Sequence, residues 1–402
     1  GGSSNGKNTA ISGGTGVALD HVTAATDSLD GNVVYAVSGN ITGGNSSITA
    51  EGYRSNAVRA NNGSVSLSTS TTVTTNINES TAIKATQGVS LDQVSSATAK
   101  GSGSYAIYNN GSGNVSLDRR SSATAEQNYS LAIYNNGGAT SSITLQNNSS
   151  ATAKGSYSHA IYAKTGNVSL SYSSATAEGD YSNAIFAEAG NITLTNSSAT
   201  AKGQYSDAIN TRAGNITLTD SHATANGYHS NAIHTVSGST RMTNGSVTTG
   251  TGSRINGILL KSTSAGTTNN IQSVQFYVKG DNNNGIYLND HPSATSTSIT
   301  YNNFELNDGV DGVTGSNGIL IAPGKQLTTA LDHNSTTSYG TYNTGILVGL
   351  DANVPTITNG SHSVHGSNST GIALHTDKST SISNVYFTVT GPSSTGLSAG
   401  KT

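Results

Sequence analysis

Polar and apolar positions along this chain alternate in short bursts and not at the three-to-four spacing of a helix. Asn191-Ile192-Thr193-Leu194-Thr195 is one burst and Ser198-Ala199-Thr200-Ala201 the next, each patterned as a half-buried strand. After the turn Lys202-Gly203-Gln204-Tyr205, a third burst carries Ala208-Ile209. The step from a small residue to a branched aliphatic recurs at Ala36-Val37, Ala57-Val58, Ala82-Ile83, Ala106-Ile107, Ala132-Ile133, Ala160-Ile161, Ala184-Ile185, Ala208-Ile209 and Ala232-Ile233, with Gly16-Val17 placed at the start. From Gly257-Ile258 onward the small residue is glycine, as in Gly285-Ile286, Gly318-Ile319, Gly345-Ile346, Gly371-Ile372 and Gly396-Leu397. Spacings run from 20 to 33 residues, with three successive intervals of 24 between Ala160 and Ala232. Three short strands cannot close a core alone, but stacked copies can. The pattern predicts an all-β chain, a single right-handed parallel β-helix of about 15–16 rungs with three short strands per rung.

Residues 1–250 are read as a regular β-helix with rungs of about 24 residues. Residues 251–402 continue it with longer, loop-bearing rungs, where all four prolines and Phe276, Phe304 and Phe387 enter. The predicted inward columns align Ile192 and Leu194 with Val115 and Leu117 and with Val168 and Leu170. The alanine pairs Ala123/Ala125, Ala151/Ala153, Ala175/Ala177 and Ala199/Ala201 align in the same way. Large aliphatics opposite alanines make a narrow interior, which explains how 33% hydrophobic residues suffice. The next column reads Lys100, Glu126, Lys154, Glu178, Lys202; alternating signs on stacked strands attract where like signs would repel.

Charged residues make up only 10% of the chain and the net charge is −3. There is thus no basic footprint for nucleic acid, and no apolar run reaches the roughly 18 residues needed for a membrane helix. No nucleic acid partner and no membrane insertion of this segment are expected. With no cysteine, disulfides and thiol chemistry are excluded. Gly1 opens the sequence without a methionine or a signal peptide, so a processed or excised piece is expected.

The Gly/Ala-Ile step, strands such as Asn191-Ile192-Thr193-Leu194 and Ser198-Ala199-Thr200-Ala201, and the Gly-rich turns resemble the passenger domains of bacterial type V autotransporters. The resemblance spans nearly the whole chain. It implies a secreted or cell-surface β-helix with an adhesive or self-associating surface. The chain departs from that family in lacking the C-terminal membrane barrel and a serine-protease motif of the Gly-Asp-Ser-Gly type.

Aromatic residues are the strongest binding candidates. Tyr108, Tyr134, Tyr162 and Phe186 follow the Ala-Ile step on four successive rungs and are expected to point outward. Tyr129, Tyr157, Tyr181 and Tyr205 form a second column three residues before the alanine. Stacked rings stabilise neighbouring strands, and an exposed stripe of them also offers a surface for a sugar or a second rod. Glu305, Asp308 and Asp311 are the best carboxylate cluster, better read as a solvated loop than as a catalytic pair of the kind glycan cleavage needs. Asp281-Asn282-Asn283-Asn284-Gly285 and Asn307-Asp308-Gly309-Val310-Asp311-Gly312 offer oxygen ligands, but turn chemistry accounts for those residue types. His229 and His234 flank Ala232-Ile233 closely enough to approach one another, yet read better as surface histidines. Sequons such as Asn167, Asn191, Asn196 and Asn215 are taken as strand and turn residues. No catalysis, metal or cofactor is expected. The expected partners are other copies of the chain, or glycans and proteins of a host or neighbouring cell. Neither end offers a helix or a charged cap, so an extracellular filament built by end-to-end stacking stands as the alternative, and a polysaccharide-binding or -degrading protein as a second.

Overall fold

The computed structural model describes residues 8–261, 266–289, 296–307 and 315–400. No helix occurs among them. Three parallel sheets form a β-solenoid of the right-handed type, about 15 turns in all, with three strands to each rung. The chain divides into two compact units, Gly1–Gly203 and Gln204–Thr402. The change from alanine to glycine at the marker step falls inside the second.

In the first unit each sheet holds eight strands. Sheet 1 carries the Ala-Ile step, for example in Tyr105–Asn109 and Leu131–Asn135. Sheet 2 carries Val-x-Leu strands such as Val115–Leu117, and sheet 3 the Ser-Ala-Thr-Ala strands such as Ser122–Ala125. The register is the one the columns predict: Val115 lies opposite Ile143 and Leu117 opposite Leu145, while Ala123 faces Ala151 and Ala125 faces Ala153. All eight side chains are fully buried or nearly so.

Two expected markers sit elsewhere. Gly16-Val17 belongs to sheet 2, with Gly16 opposite Asn40 and Val17 opposite Ile41; sheet 1 begins at Thr9–Gly13. In the next rung Val34 pairs with Val58, so the Ala57-Val58 step is matched by Val33-Val34, both fully buried, while Val37 is exposed. Two valines fill the interior as the small–branched step does, and Ala36 is the buried end of that strand.

The second unit has eight strands in sheet 1 and seven in each of the others. Its interior trades volume between sheets. Phe276, Phe304 and Phe387 take inward positions of sheet 3 where most rungs of the first unit have alanine, and the rings of Phe276 and Phe304 stack at 4.5 Å. The room comes from the marker glycines of sheet 1. A Cβ on Gly285 would lie 2.8 Å from Phe304 Cδ1, and one on Gly396 would lie 2.9 Å from Phe387 Cγ.

At the corners, stacked hydrogen bonds replace apolar packing. Between sheets 3 and 1, Ser130 Oγ accepts from the Ser104 amide at 3.1 Å and donates to the Gly101 carbonyl at 3.0 Å. Ser158 serves Ser130 in the same way, and Ser182 serves Ser158. Each of these serines is fully enclosed, so the hydroxyls satisfy backbone groups that water cannot reach. Between sheets 1 and 2, asparagines do similar work at the surface: Asn114 Oδ1 accepts from the Ser142 amide and Asn167 Oδ1 from the Asn191 amide, both at 2.9 Å. Glycine recurs at that corner because a Cβ on Gly63 would fall on the carbonyl of Gly39 in the rung before.

The alternating charge column resolves into pairs. Lys154 Nζ lies 3.5 Å from Glu126 Oε1 and Lys202 Nζ 2.8 Å from Glu178 Oε1. Both pairs are exposed enough for salt to screen them. Glu178→Lys places three lysines on adjacent rungs and is expected to lower the melting temperature at low ionic strength, with the loss fading in high salt. Thermal melts across a salt series check this, and a loss that ignores salt would contradict an electrostatic origin.

Candidate functional site

The first aromatic column lies on the outer face of sheet 1, as alternation requires once the marker isoleucine points inward. Tyr108 stacks on Tyr134 with ring centroids 5.2 Å apart and planes 6° off parallel, and Tyr134 meets Tyr162 at 4.9 Å. Phe186 follows at 5.1 Å and is nearly buried, because His159 packs 5.4 Å from its ring. Tyr105 widens the platform, stacking on Tyr108 at 5.1 Å, and Lys84 Nζ sits 5.3 Å from the Tyr108 ring. The hydroxyls are engaged: Tyr108 donates to Asn110 Oδ1 at 3.0 Å, Tyr134 to Asn136 Oδ1 at 3.2 Å, and Tyr162 to the Glu188 carboxylate. Burial pushes the Tyr105 and Tyr134 hydroxyls above their ordinary pKa, with neighbouring tyrosines adding to the rise. Burial, helped by Arg59, lowers that of Lys84.

The second column is a turn feature and not part of a strand. Tyr129, Tyr157, Tyr181 and Tyr205 occupy the corner between sheets 3 and 1 with φ of 58°, 56°, 55° and 53°, a left-handed conformation costly for a bulky residue. In the first unit Tyr129 and Tyr157 stack at 5.1 Å and 7°, and Tyr157 and Tyr181 at 4.8 Å and 2°. Such stacking repays part of the backbone cost. The exposures are 64% for Tyr129, 49% for Tyr157 and 46% for Tyr181. With planes this close to parallel, ring faces cover one another and ring edges and hydroxyls face the solvent. The surface is a ridge of edges, not a flat shelf of faces.

In the second unit Tyr205 stacks on His229 at 5.6 Å and 5°, and Arg254 Nη1 lies 3.3 Å from His229 Nε2. His234 does not join His229. Its Nδ1 is 3.2 Å from Asp207 Oδ2, and the other oxygen of Asp207 accepts from the Asn231 amide and its Nδ2, both at 2.8 Å. Asp207 thus takes a place in a ladder otherwise built of carboxamides, in which Asn256 donates to Asn231 and Asn284 to Asn256, each at 2.9 Å.

The remaining candidates separate. Glu305 lies on sheet 3 opposite Tyr277 and Thr337, while Asp308 and Asp311 lie outside the described residues. In the 281–285 segment Asn283 Oδ1 accepts from the Ile255 amide at 2.7 Å and its Nδ2 donates to the Gly252 carbonyl at 2.8 Å. Its carboxamide thus holds two rungs together. Among the described residues no three His, Asp or Glu side chains cluster as metal ligands.

Sequence reasoning missed the serine ladder and the role of His159, whose Nδ1 accepts from the Asn183 amide at 3.0 Å. A signal for the serines was present: Ser104, Ser130, Ser158 and Ser182 each stand two residues before the marker alanine. No family model matches this chain, and no curated protein is significantly similar to it in sequence.

Proposed function

We propose that this chain is a structural, non-enzymatic β-solenoid that acts outside the cell or at a cell surface by adhesion or self-association. The observation that carries the proposal is the Tyr129–Tyr157–Tyr181 ridge, with rings stacked at about 5 Å and at least 46% exposed. An exposed aromatic row on a rigid framework is costly to keep in water and resembles the anchor composition of protein interfaces. Its outward edges and hydroxyls suit side-by-side contact with another protein surface better than the stacking of sugar rings. The resemblance to autotransporter passengers supports the same setting.

Replacing Tyr129, Tyr157 and Tyr181 together by serine tests the proposal. The wild-type chain is expected to associate with itself in a sedimentation concentration series or to bind a cell layer, and the triple variant to lose that association by about tenfold or more. Equal behaviour of the two proteins, each shown folded by circular dichroism, would overturn it.

A further inference from the structure

The corner between sheets 2 and 3 is not uniform. Five residues separate Leu170 from Ala175 and Leu194 from Ala199, but six separate Leu91 from Ala97, Leu117 from Ala123 and Leu145 from Ala151. The added residue gives successive rungs two left-handed positions in a row: Gln93 and Val94 at φ 53° and 67°, Arg119 and Arg120 at 49° and 64°, Asn147 and Asn148 at 54° and 65°. The extra residues bulge from the corner as a ledge. The same six residues line an open groove of about 410 Å³.

Two properties of the groove have no use in folding. Val94 is a β-branched residue in the left-handed region, where asparagine is tolerated and valine is an outlier, and it is 54% exposed. The nearby carboxylates are occupied: Asp92 Oδ2 lies 3.4 Å from Arg119 Nη1, and Asp118 Oδ1 accepts from Asn147 Nδ2 at 2.7 Å. The guanidinium of Arg120, in contrast, makes no ion pair or hydrogen bond among the described residues. A second groove, of about 270 Å³ on sheet 2, is lined by serine, valine, glutamine, glycine and asparagine and holds no charged side chain. Of these two grooves, the one at the ledge is the one lined by arginine.

We propose that this groove binds a carboxylate-bearing saccharide, a uronate residue of a glycan. The Arg120 fork matches a carboxylate with two parallel hydrogen bonds. Asn148 supplies a donor and an acceptor for ring hydroxyls and Gln93 Nε2 a donor, the Gln93 Oε1 already accepting from Thr69 Oγ1 at 2.9 Å, and Val94 meets the apolar face of the sugar. The pairing of one charge, a few carboxamides and one apolar contact in a concave site is the usual composition of a small-ligand pocket. The site is separate from the tyrosine ridge and stands or falls without it.

The probe is tetragalacturonate, compared by titration calorimetry with its fully methyl-esterified form. Wild-type protein is expected to bind the acid and to bind the ester at least about tenfold more weakly. Arg120→Gln should weaken acid binding by a similar factor, while Lys378→Gln, which removes the same charge from a different rung, should leave it unchanged. Val94→Asn relieves the backbone and is expected to raise the melting temperature while weakening binding. Absent binding by the wild type, equal affinity for acid and ester, or an Arg120→Gln protein that melts and binds as the wild type does would each overturn the assignment. The Tyr129/Tyr157/Tyr181 serine variant should retain full binding, so a failure of the ridge proposal and a failure of this one give different results.

Discussion

Phe304→Ala is expected to cost about 3–5 kcal/mol, the largest loss from any single truncation in the second unit. The ring is fully buried, stacks on Phe276, and fills space that Gly285 and Gly318 leave open. Gly285→Ala attacks the same packing from the other side, since its Cβ would stand 2.8 Å from Phe304 Cδ1. Overpacking of that kind costs about 1–3 kcal/mol. The two changes share one volume, so the double variant should lose less than the sum of the singles, as a double-mutant cycle by chemical denaturation would report. Compensation should be incomplete because the Gly318 carbonyl also crowds that Cβ, at 2.6 Å. Strict additivity would mean that the glycine column and the phenylalanines are unrelated.

Acidification is the second large effect. His362 occupies an inward position of sheet 3, fully enclosed, with Nδ1 2.8 Å from Thr336 Oγ1 and its ring 5.6 Å from that of Phe387. Burial holds its pKa down to about 4, and His159 beneath Phe186 is lowered to about 4 for the same reason. The folded chain therefore refuses a proton that the unfolded chain accepts near pH 6.5. Stability is fully present above pH 6.5 and drains away as pH falls toward 4, by about 3 kcal/mol for His362 and less for the half-buried His159. His362→Thr, which copies the residue on the preceding rung, should flatten that part of the stability–pH profile. A slope unchanged by His159→Asn and His362→Thr together would assign acid sensitivity elsewhere. At still lower pH a separate loss is expected from Asp118 and Asp332. Burial pushes both carboxyls up, but hydrogen bonds from Asn147 to Asp118 and from Asn359 and His333 to Asp332 outweigh it and hold them below their ordinary value.

Fold class and register were legible because a repeating core restates the same constraint on every rung. Any one Val-x-Leu strand is ambiguous, but Val115, Ile143 and Val168 in one column are not. What escaped was whatever the alternation of strands does not encode. The tyrosines at 129, 157 and 181 stood out as a column, but their left-handed backbone did not, since a turn residue and a strand residue recur together once per rung. The ledge escaped because a spacing of six against five shifts no inward residue to the wrong face; it only lengthens a corner. Phe276 and Phe304 were visible as newcomers, whereas their tie to Gly285 and Gly318 spans two sheets and appears only when the sheets are packed.

The serine ladder carries one further consequence. Each hydroxyl both receives from and gives to the rung before it, so no turn of the coil is chemically complete until its successor has arrived. The protein is in this respect a one-dimensional crystal whose repeating unit is the rung. Between Ser80 and Ser182, duplicating one full turn would keep the ladder's pattern of donors and acceptors. Removing a few residues from within a turn breaks the lattice, however conservative the cut looks in the sequence.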